Sequence, residues 1–244
     1  MSTVLQTTDL TKEFSQVLAV DRLNLRLEKG SISALLGGNG AGKTTTLSML
    51  LGLLKPSSGM IELFGENFID NRFSVLGRMN FSSPYVDLPQ RLTVRQNLSV
   101  YGRLYGVKNV SRRIDELVAE FRLEDLLDRR LRRLSSGQKT RVSLAKSMIN
   151  RPEFLLLDEP TASLDPETTC WIRDLLDQYR KESGATILFA SHDMREVELL
   201  CDDVLLLSQG KLVEKGSPRE LLSKYDHQTL EEVFLQVSKQ GGEE

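Results

Sequence analysis

The stretch GGNGAGKT, Gly37 to Thr44, sets four glycines, a lysine and a threonine in the order G-x-x-x-x-G-K-T. Glycines let a backbone wind closely round an anion, so that successive N–H groups point inward. Gly37, Gly38, Asn39, Gly40, Ala41, Gly42, Lys43, Thr44 and Thr45 therefore read as a cradle for a polyphosphate. Lys43 brings a point charge to the β and γ phosphates, and the Thr44 hydroxyl offers an oxygen to Mg²⁺. A glycine-rich turn that binds nothing is the plainer reading. Against it stand the apolar run SISALL directly before the motif and a helical pattern directly after it, the context that such a loop requires.

FLLLDEP supplies what the loop lacks. Asp158 ends an apolar run, where a carboxylate is costly to bury unless it meets a cation or strong donors. Mg²⁺ on the phosphates is that cation. Glu159 can accept a proton from an attacking water, or orient it, which favours transfer to water over transfer to a bound metabolite. His192 ends another apolar run, ATILFASH. A lone histidine is more often structural, and His227 in the polar tail is read that way. His192 lies where ligands of open α/β sheets bind, beyond a strand's carboxyl end, and there it can donate to the γ phosphate or steer the water. LSSGQ, Leu134 to Gln138, lies far downstream and has a capping serine, a glycine and an amide, the makings of a second anion-binding turn.

These groups need rigid supports. Short apolar runs recur, SISALLG, MIELFG, FLLLDE, TILFAS and DVLLLS, each bounded by Gly, Pro, Ser or charge. Such runs predict buried strands of a mostly parallel sheet. RLNLRLE instead alternates Leu23, Leu25 and Leu27 and predicts an antiparallel layer at the N-terminal end. Between the runs, apolar residues repeat at helical spacing: Leu47, Leu50, Leu51 and Leu54; Ile172, Leu175, Leu176 and Tyr179; Leu230, Val233, Phe234 and Val237. Strand and helix alternate, so the fold class is α/β. Residues 93–133 are helical in periodicity and dense in mixed charge, and they read as a lobe inserted in the α/β core of residues 1–92 and 134–220, with residues 221–244 as a helical tail. The lobe's charges are most simply a solvated face.

The 244 residues are 40% hydrophobic and 27% charged with a net charge of -2, which allows a sizeable core and gives no electrostatic case for nucleic acid. Cys170 and Cys201 lack metal spacing and sit among apolar neighbours, as buried, reduced thiols of an intracellular chain would. The N-terminal residues do not form a basic segment followed by an apolar one, and no apolar run approaches the ~18 residues of a membrane span. The chain is expected to be neither secreted nor membrane-spanning on its own.

In their order these motifs resemble the nucleotide-binding subunit of an ATP-binding-cassette (ABC) transporter, from about Leu5 to the C-terminal helix. The phosphate loop matches the family's Walker A, LSSGQ its signature, and Asp158 with Glu159 the end of its Walker B. Ser163, Leu164 and Asp165 match its D-loop, and His192 its switch histidine. The resemblance implies a P-loop NTPase fold in a single ATP-binding domain over residues 1–244, with ATP and Mg²⁺ as cofactors. Lys43, Glu159 and His192 are then catalytic, Thr44 and Asp158 serve Mg²⁺ (Asp158 through water), and Phe14 stacks on adenine. In the family two cassettes pack head to tail, so Leu134, Ser135, Ser136, Gly137 and Gln138 of one subunit face the nucleotide of the other. The partner cassette is a copy or a paralogue, and the pair sits on the cytoplasmic side of the membrane against an integral membrane permease, with no nucleic acid involved. LTVRQNLSVYGRLYG and TLEEVFLQV are similar to exporter-type (ABC-2-like) cassettes.

Three positions depart from the family pattern. Ser136 replaces a glycine of L-S-G-G-Q, though a serine N–H still donates; Phe14 replaces tyrosine and keeps the π face. The glutamine that senses Mg²⁺ is missing, and Ser83, Pro84 or a longer reach from Gln90 takes its place. Nearby Phe81, Tyr85, Tyr101 and Tyr105 suit either a groove for a permease helix or the packing of the lobe. The rival reading is a soluble, non-transport ABC ATPase of translation or repair, which usually carries two cassettes or a long coiled coil; neither pattern is present. A small-molecule kinase would have no use for LSSGQ, and a binding module without turnover no use for Glu159 and His192.

Overall fold

The computed structural model describes residues 2–83, 87–191 and 193–240. The first stretch holds β1 (Thr3–Phe14), β2 (Val17–Leu23), β3 (Arg26–Glu28), β4 (Ile32–Gly37), α1 (Lys43–Leu50), β5 (Ser58–Leu63), β6 (Glu66–Asn67) and α2 (Arg72–Leu76). The middle holds β7 (Met79–Ser82), α3 (Val94–Leu104), α4 (Val110–Phe121), α5 (Ser136–Ser147), β8 (Phe154–Asp158) and α6 (Pro166–Ser183). Last come β9 (Thr186–Ala190), α7 (Met194–Leu200), β10 (Asp203–Ser208), β11 (Lys211–Gly216), α8 (Pro218–Tyr225) and α9 (Leu230–Gln240). The first and last stretches form one compact unit, residues 1–76 with 186–244, and residues 77–185 form a second.

In the first unit β1 pairs antiparallel with β2, β3 and β5, and β5 with β6. This is the antiparallel layer, and Leu23, Leu25 and Leu27 are all buried in it. The run MIELFG belongs here too, not to the parallel sheet its composition predicts: Ile61 and Leu63 are buried while Met60 is exposed and Glu62 half-buried. That alternation marks a strand with one face covered, and the run's apolar content hides it. The unit's other sheet runs β11-β10-β4-β9, with β4 parallel to both neighbours and β11 antiparallel at the edge. Lying between two partners, β4 buries Ile32 through Leu36 completely, which is why it reads as an apolar run broken only by Ser33. The helix after the phosphate loop stops at Leu50, short of Leu51 and Leu54, because Gly52 turns to φ +67 and Pro56 follows.

In the second unit β7 and β8 pair in parallel, Met79 with Phe154 through Ser82 with Leu157. Between β7 and α5, the described residues of 93–133 form α3, α4, two short 3₁₀ turns and no strand beyond a single bridge from Thr93 to Arg130. The helical faces bury Val94, Leu98, Ile114, Leu117 and Phe121. Among the described residues no helix is long and apolar enough to cross a membrane. Cys201 is buried, and burial pushes its thiol up; Cys170 is exposed, because its position on α6 faces away from the buried stripe of Ile172 and Leu176.

One charged residue of the lobe does more than face water. Arg113 is buried and donates to the carbonyls of Met148 (2.7 Å) and Ile149 (3.3 Å), groups that the end of α5 leaves without helical partners. Glu116 receives Arg113 at 3.0 Å and Arg151 at 2.8 Å. Hydrogen bonds from Arg151 and then Arg113 hold its carboxyl down to about 2, against a usual 4.5. A depressed carboxylate stabilises the fold above its unfolded value and loses that contribution as pH falls toward the folded one. Glu116→Gln is therefore expected to cost about 1 kcal/mol at pH 7, a drop of about 2–4 °C in melting temperature. Thermal scans of both proteins should show the gap closing as pH falls from about 4.5 toward 2.

Candidate functional site

The phosphate loop lies wholly in the first unit. β4 ends at Gly37, where a Cβ would sit 2.7 Å from the Leu207 carbonyl oxygen, so no larger residue fits the strand end. Gly42 takes φ +100, and a Cβ there would lie 2.6 Å from the Ala19 carbonyl oxygen. Both glycines are therefore demanded by backbone approach, and Gly42 leaves α1 starting without any side-chain cap. The amides of its first turn point toward the loop mouth, a place for negative charge. Lys43 folds over the loop, its Nζ donating to the carbonyl oxygens of Gly37 (2.5 Å) and Gly38 (3.1 Å). The Gly38 position is in turn about 4.0 Å from the Phe234 ring of α9.

An open cavity of about 680 Å³ runs along this loop, lined by residues 38–45 and by Phe14, Val17, Leu18, Asp21, Gln209 and Lys211. Phe14 is thus brought beside Gly38, Asn39, Gly40, Ala41, Gly42, Lys43, Thr44 and Thr45, with the residue 45% exposed and able to offer a ring face. Val17 and Leu18 are also exposed apolar residues here. They line the same open cavity as Phe14 and add apolar surface beside its ring. No local sequence signal marks them, nor Gln209 and Lys211 from the β10–β11 turn, which only the fold brings near.

The carboxylates lie in the second unit. Asp158 ends β8, and its Oδ2 accepts from Ser83 Oγ at 3.0 Å. Glu159 follows with φ +47, a left-handed backbone rare for a residue with a Cβ. Both line a cavity of about 170 Å³ together with Ser83, Gln90, Ser136, Lys139 and Ser163. Of the candidates for the missing glutamine, Ser83 meets Asp158, while Gln90 lines the same cavity with its amide donating to Asp87 Oδ1 at 3.1 Å. Pro84, Tyr85 and His192 lie outside the described residues. The donors present on Asp158, Ser83 and Thr44 are hard oxygens. That suits Mg²⁺, which takes one or two protein oxygens and completes its shell with phosphate and water.

The signature turn starts α5. Ser135 Oγ accepts from the Gln138 N–H (3.2 Å), and the Gln138 amide oxygen accepts from the Ser135 N–H (3.1 Å), a reciprocal cap. Leu134, Val142, Ala145, Met148 and Ile149 are buried and anchor the helix. The two middle positions differ: Ser136 is exposed, whereas a Cβ at Gly137 would lie 3.1 Å from the Ser163 carbonyl oxygen. The substituted glycine is the tolerant one and the retained glycine the tight one. Of the D-loop, Ser163 packs on that glycine, Leu164 lies 3.6 Å from the same point, and Asp165 caps α6 by accepting from the Thr168 N–H and hydroxyl (3.0 and 2.6 Å). The Thr168 hydroxyl is the main cause that lowers the Asp165 carboxyl. As for the aromatics, Phe81 and Tyr101 set their rings on the buried ammonium of Lys146, and Phe81, Tyr101 and Tyr105 are all half-buried.

A profile of the family described as ABC transporter matches residues 20–162. The chain is 40% identical over 231 residues to the bacitracin transport ATP-binding protein BcrA of Bacillus licheniformis, covering 95% of this chain and 75% of that protein. It is 36% identical over 222 residues to the Nod factor export ATP-binding protein I of Ralstonia nicotianae, covering 90% and 69%. Its structure matches that of an ATP binding subunit of an ABC transporter with a TM-score of 0.89 at 26% identity, over 96% of this chain and 99% of the other. The glycine-rich loop, the exposed aromatic beside it and the strand-end carboxylates now have a common owner: the chain belongs to the ABC transporter family, as one of its ATP-binding, ATP-hydrolysing subunits.

Proposed function

We propose that the chain works as one of two head-to-tail cassettes that close on Mg²⁺-ATP and open on hydrolysis, driving export through a separate integral membrane permease from the cytoplasmic side. The observation that carries this reading is the pair of anion-ready helix starts, one in each unit. The start of α1 has no side-chain cap, and the cap of α5 takes up the Gln138 N–H, with Ser136 exposed and Gly137 half-buried beside it. On the family pattern the second start serves the nucleotide of the opposite subunit, whether copy or paralogue. ATP then bridges two surfaces where ADP does not, and that differential affinity moves the pair between closed and open.

In this reading Phe14, Val17 and Leu18 receive the adenine, and the loop amides with Lys43 hold the β and γ phosphates. Glu159 takes the proton of the attacking water as its oxygen bonds to the γ phosphorus, and the bond to the β-phosphate oxygen breaks to leave ADP and phosphate. His192 donates to the γ phosphate. Thr44 and Asp158 would hold Mg²⁺, which when bound neutralises charge on the phosphates. The outward direction is supported by similarity to subunits whose names state transport of bacitracin and export of Nod factor; the cargo contacts the permease, not this chain. A soluble, non-transport ABC ATPase is disfavoured because the lobe's helices are only 11 and 12 residues long, far short of a coiled coil.

Two experiments test the reading. Glu159→Gln should reduce ATP turnover by at least about 10²-fold while ATP is still bound, and light scattering should show a stable dimer with ATP. A monomer hydrolysing at the wild-type rate would refute the role. Ser135→Arg should block the neighbour's phosphate, at a cap cost of about 1 kcal/mol. Mixed with a Lys43→Ala chain it leaves one competent composite site, so activity should reappear in mixed dimers; mixed dimers isolated by two affinity tags yet inactive would count against trans action.

A further inference from the structure

ATP hydrolysis as proposed has no use for Lys146, yet among the described residues it is one of the few charged side chains that are buried, 5% exposed on α5. Its Nζ donates to the Phe81 carbonyl oxygen at 2.8 Å and lies 4.6 Å from the Phe81 ring and 5.4 Å from that of Tyr101. An ammonium loses its hydration on burial, and one carbonyl and two ring faces replace it only in part; burial draws its pKa down to about 8. Around it, α5 is laced to the end of β7. Ser143 Oγ meets Ser82 Oγ at 2.9 Å, and Asn80 Nδ2 donates to Asn150 Oδ1 at 2.8 Å and to the Lys146 carbonyl at 3.4 Å. The residue after β7 is Ser83, whose hydroxyl donates to Asp158. One continuous run of contacts therefore links the helix that begins at the signature turn to the carboxylate at the end of β8.

We propose that Lys146 is a positioning residue: by clamping the Phe81 carbonyl to the signature helix it sets Ser83 on Asp158, and so couples the turn that serves a neighbour's nucleotide to the carboxylate that serves the chain's own Mg²⁺. The clamp rests on the functional reading above. Lys146 is chosen over its neighbours because it supplies the charged donor of the set, and charge-assisted bonds are the stronger ones. Without it the Phe81 carbonyl loses that partner where water cannot easily replace it.

The test uses the full chain carrying Lys146→Met, which keeps the unbranched stem and removes charge and donor, beside Lys146→Arg. A fluorescent ATP analogue is titrated with and without Mg²⁺, well below the melting temperature of each protein. Lys146→Met should bind the Mg²⁺-free analogue within about twofold of wild type while needing about tenfold more Mg²⁺ to reach the Mg²⁺-enhanced affinity, the scale of losing an outer-shell partner. Lys146→Arg should recover most of that. A lowered melting temperature with wild-type Mg²⁺ dependence would mean a merely structural role and overturn the proposal. If Lys146→Met does not fold, Ser143→Ala loosens the same clamp beside Ser82 and is read the same way. Should wild type bind no analogue under any condition, the ATP reading itself falls, an outcome distinct from a clamp that does not matter.

Discussion

A nucleoside triphosphate presents several negative charges at its tail, and in the proposed reading main-chain amides meet them first. That is possible only because β4 is buried between two parallel partners and ends where nothing larger than glycine fits. The strand carries the chain to a fixed point, the glycines let it double back, and α1 begins there with an uncapped start. Lys43 adds charge, but the geometry belongs to the backbone, and the backbone's geometry belongs to the sheet. The carboxylates obey a similar rule in the other unit, where β8 is apolar until Asp158 and the chemistry begins with the first residues beyond the buried run.

Much of this is legible in the amino-acid sequence alone. Buried strands announce themselves by apolar runs, so β4, β8, β9 and β10 and the residues at their ends are readable. The same signal misleads at MIELFG, where Met60 points to solvent in spite of its apolar side chain; composition cannot say which face is covered. Helical spacing runs on past Leu50 because periodicity carries no information about the φ that Gly52 adopts. Val17, Leu18, Gln209 and Lys211 are illegible for another reason: they reach the phosphate loop through pairings distant in sequence, and no local motif marks them. Arg113 reads as a member of the lobe's solvated face and Lys146 carries no motif, since nothing local distinguishes a charge facing water from one facing a buried carbonyl.

The departures from the family pattern also acquire a physical ranking. Ser136 occupies an exposed position at the first turn of α5, whereas Gly137 is pressed against the D-loop carbonyl of Ser163. A serine at the first is inexpensive, and one at the second would displace backbone. Of the described candidates for the family's glutamine, Ser83 meets Asp158 with a hydroxyl from close by, and Gln90 lines the same cavity. The signature turn, the D-loop and the strand-end carboxylates thus share one small cavity in a single unit, and a shift in any one is felt by the others through packed contacts.

The positive φ of Glu159 bears on how the chain can change over generations. A left-handed backbone costs a residue with a Cβ roughly 1 kcal/mol that glycine would not incur. Replacing Glu159 by glycine would relieve that backbone cost, while deleting the carboxylate on which the proposed proton transfer depends. On the proposed reading, relief of the backbone at this position comes only with loss of the proton acceptor, so selection for turnover is what holds a carboxylate in this posture.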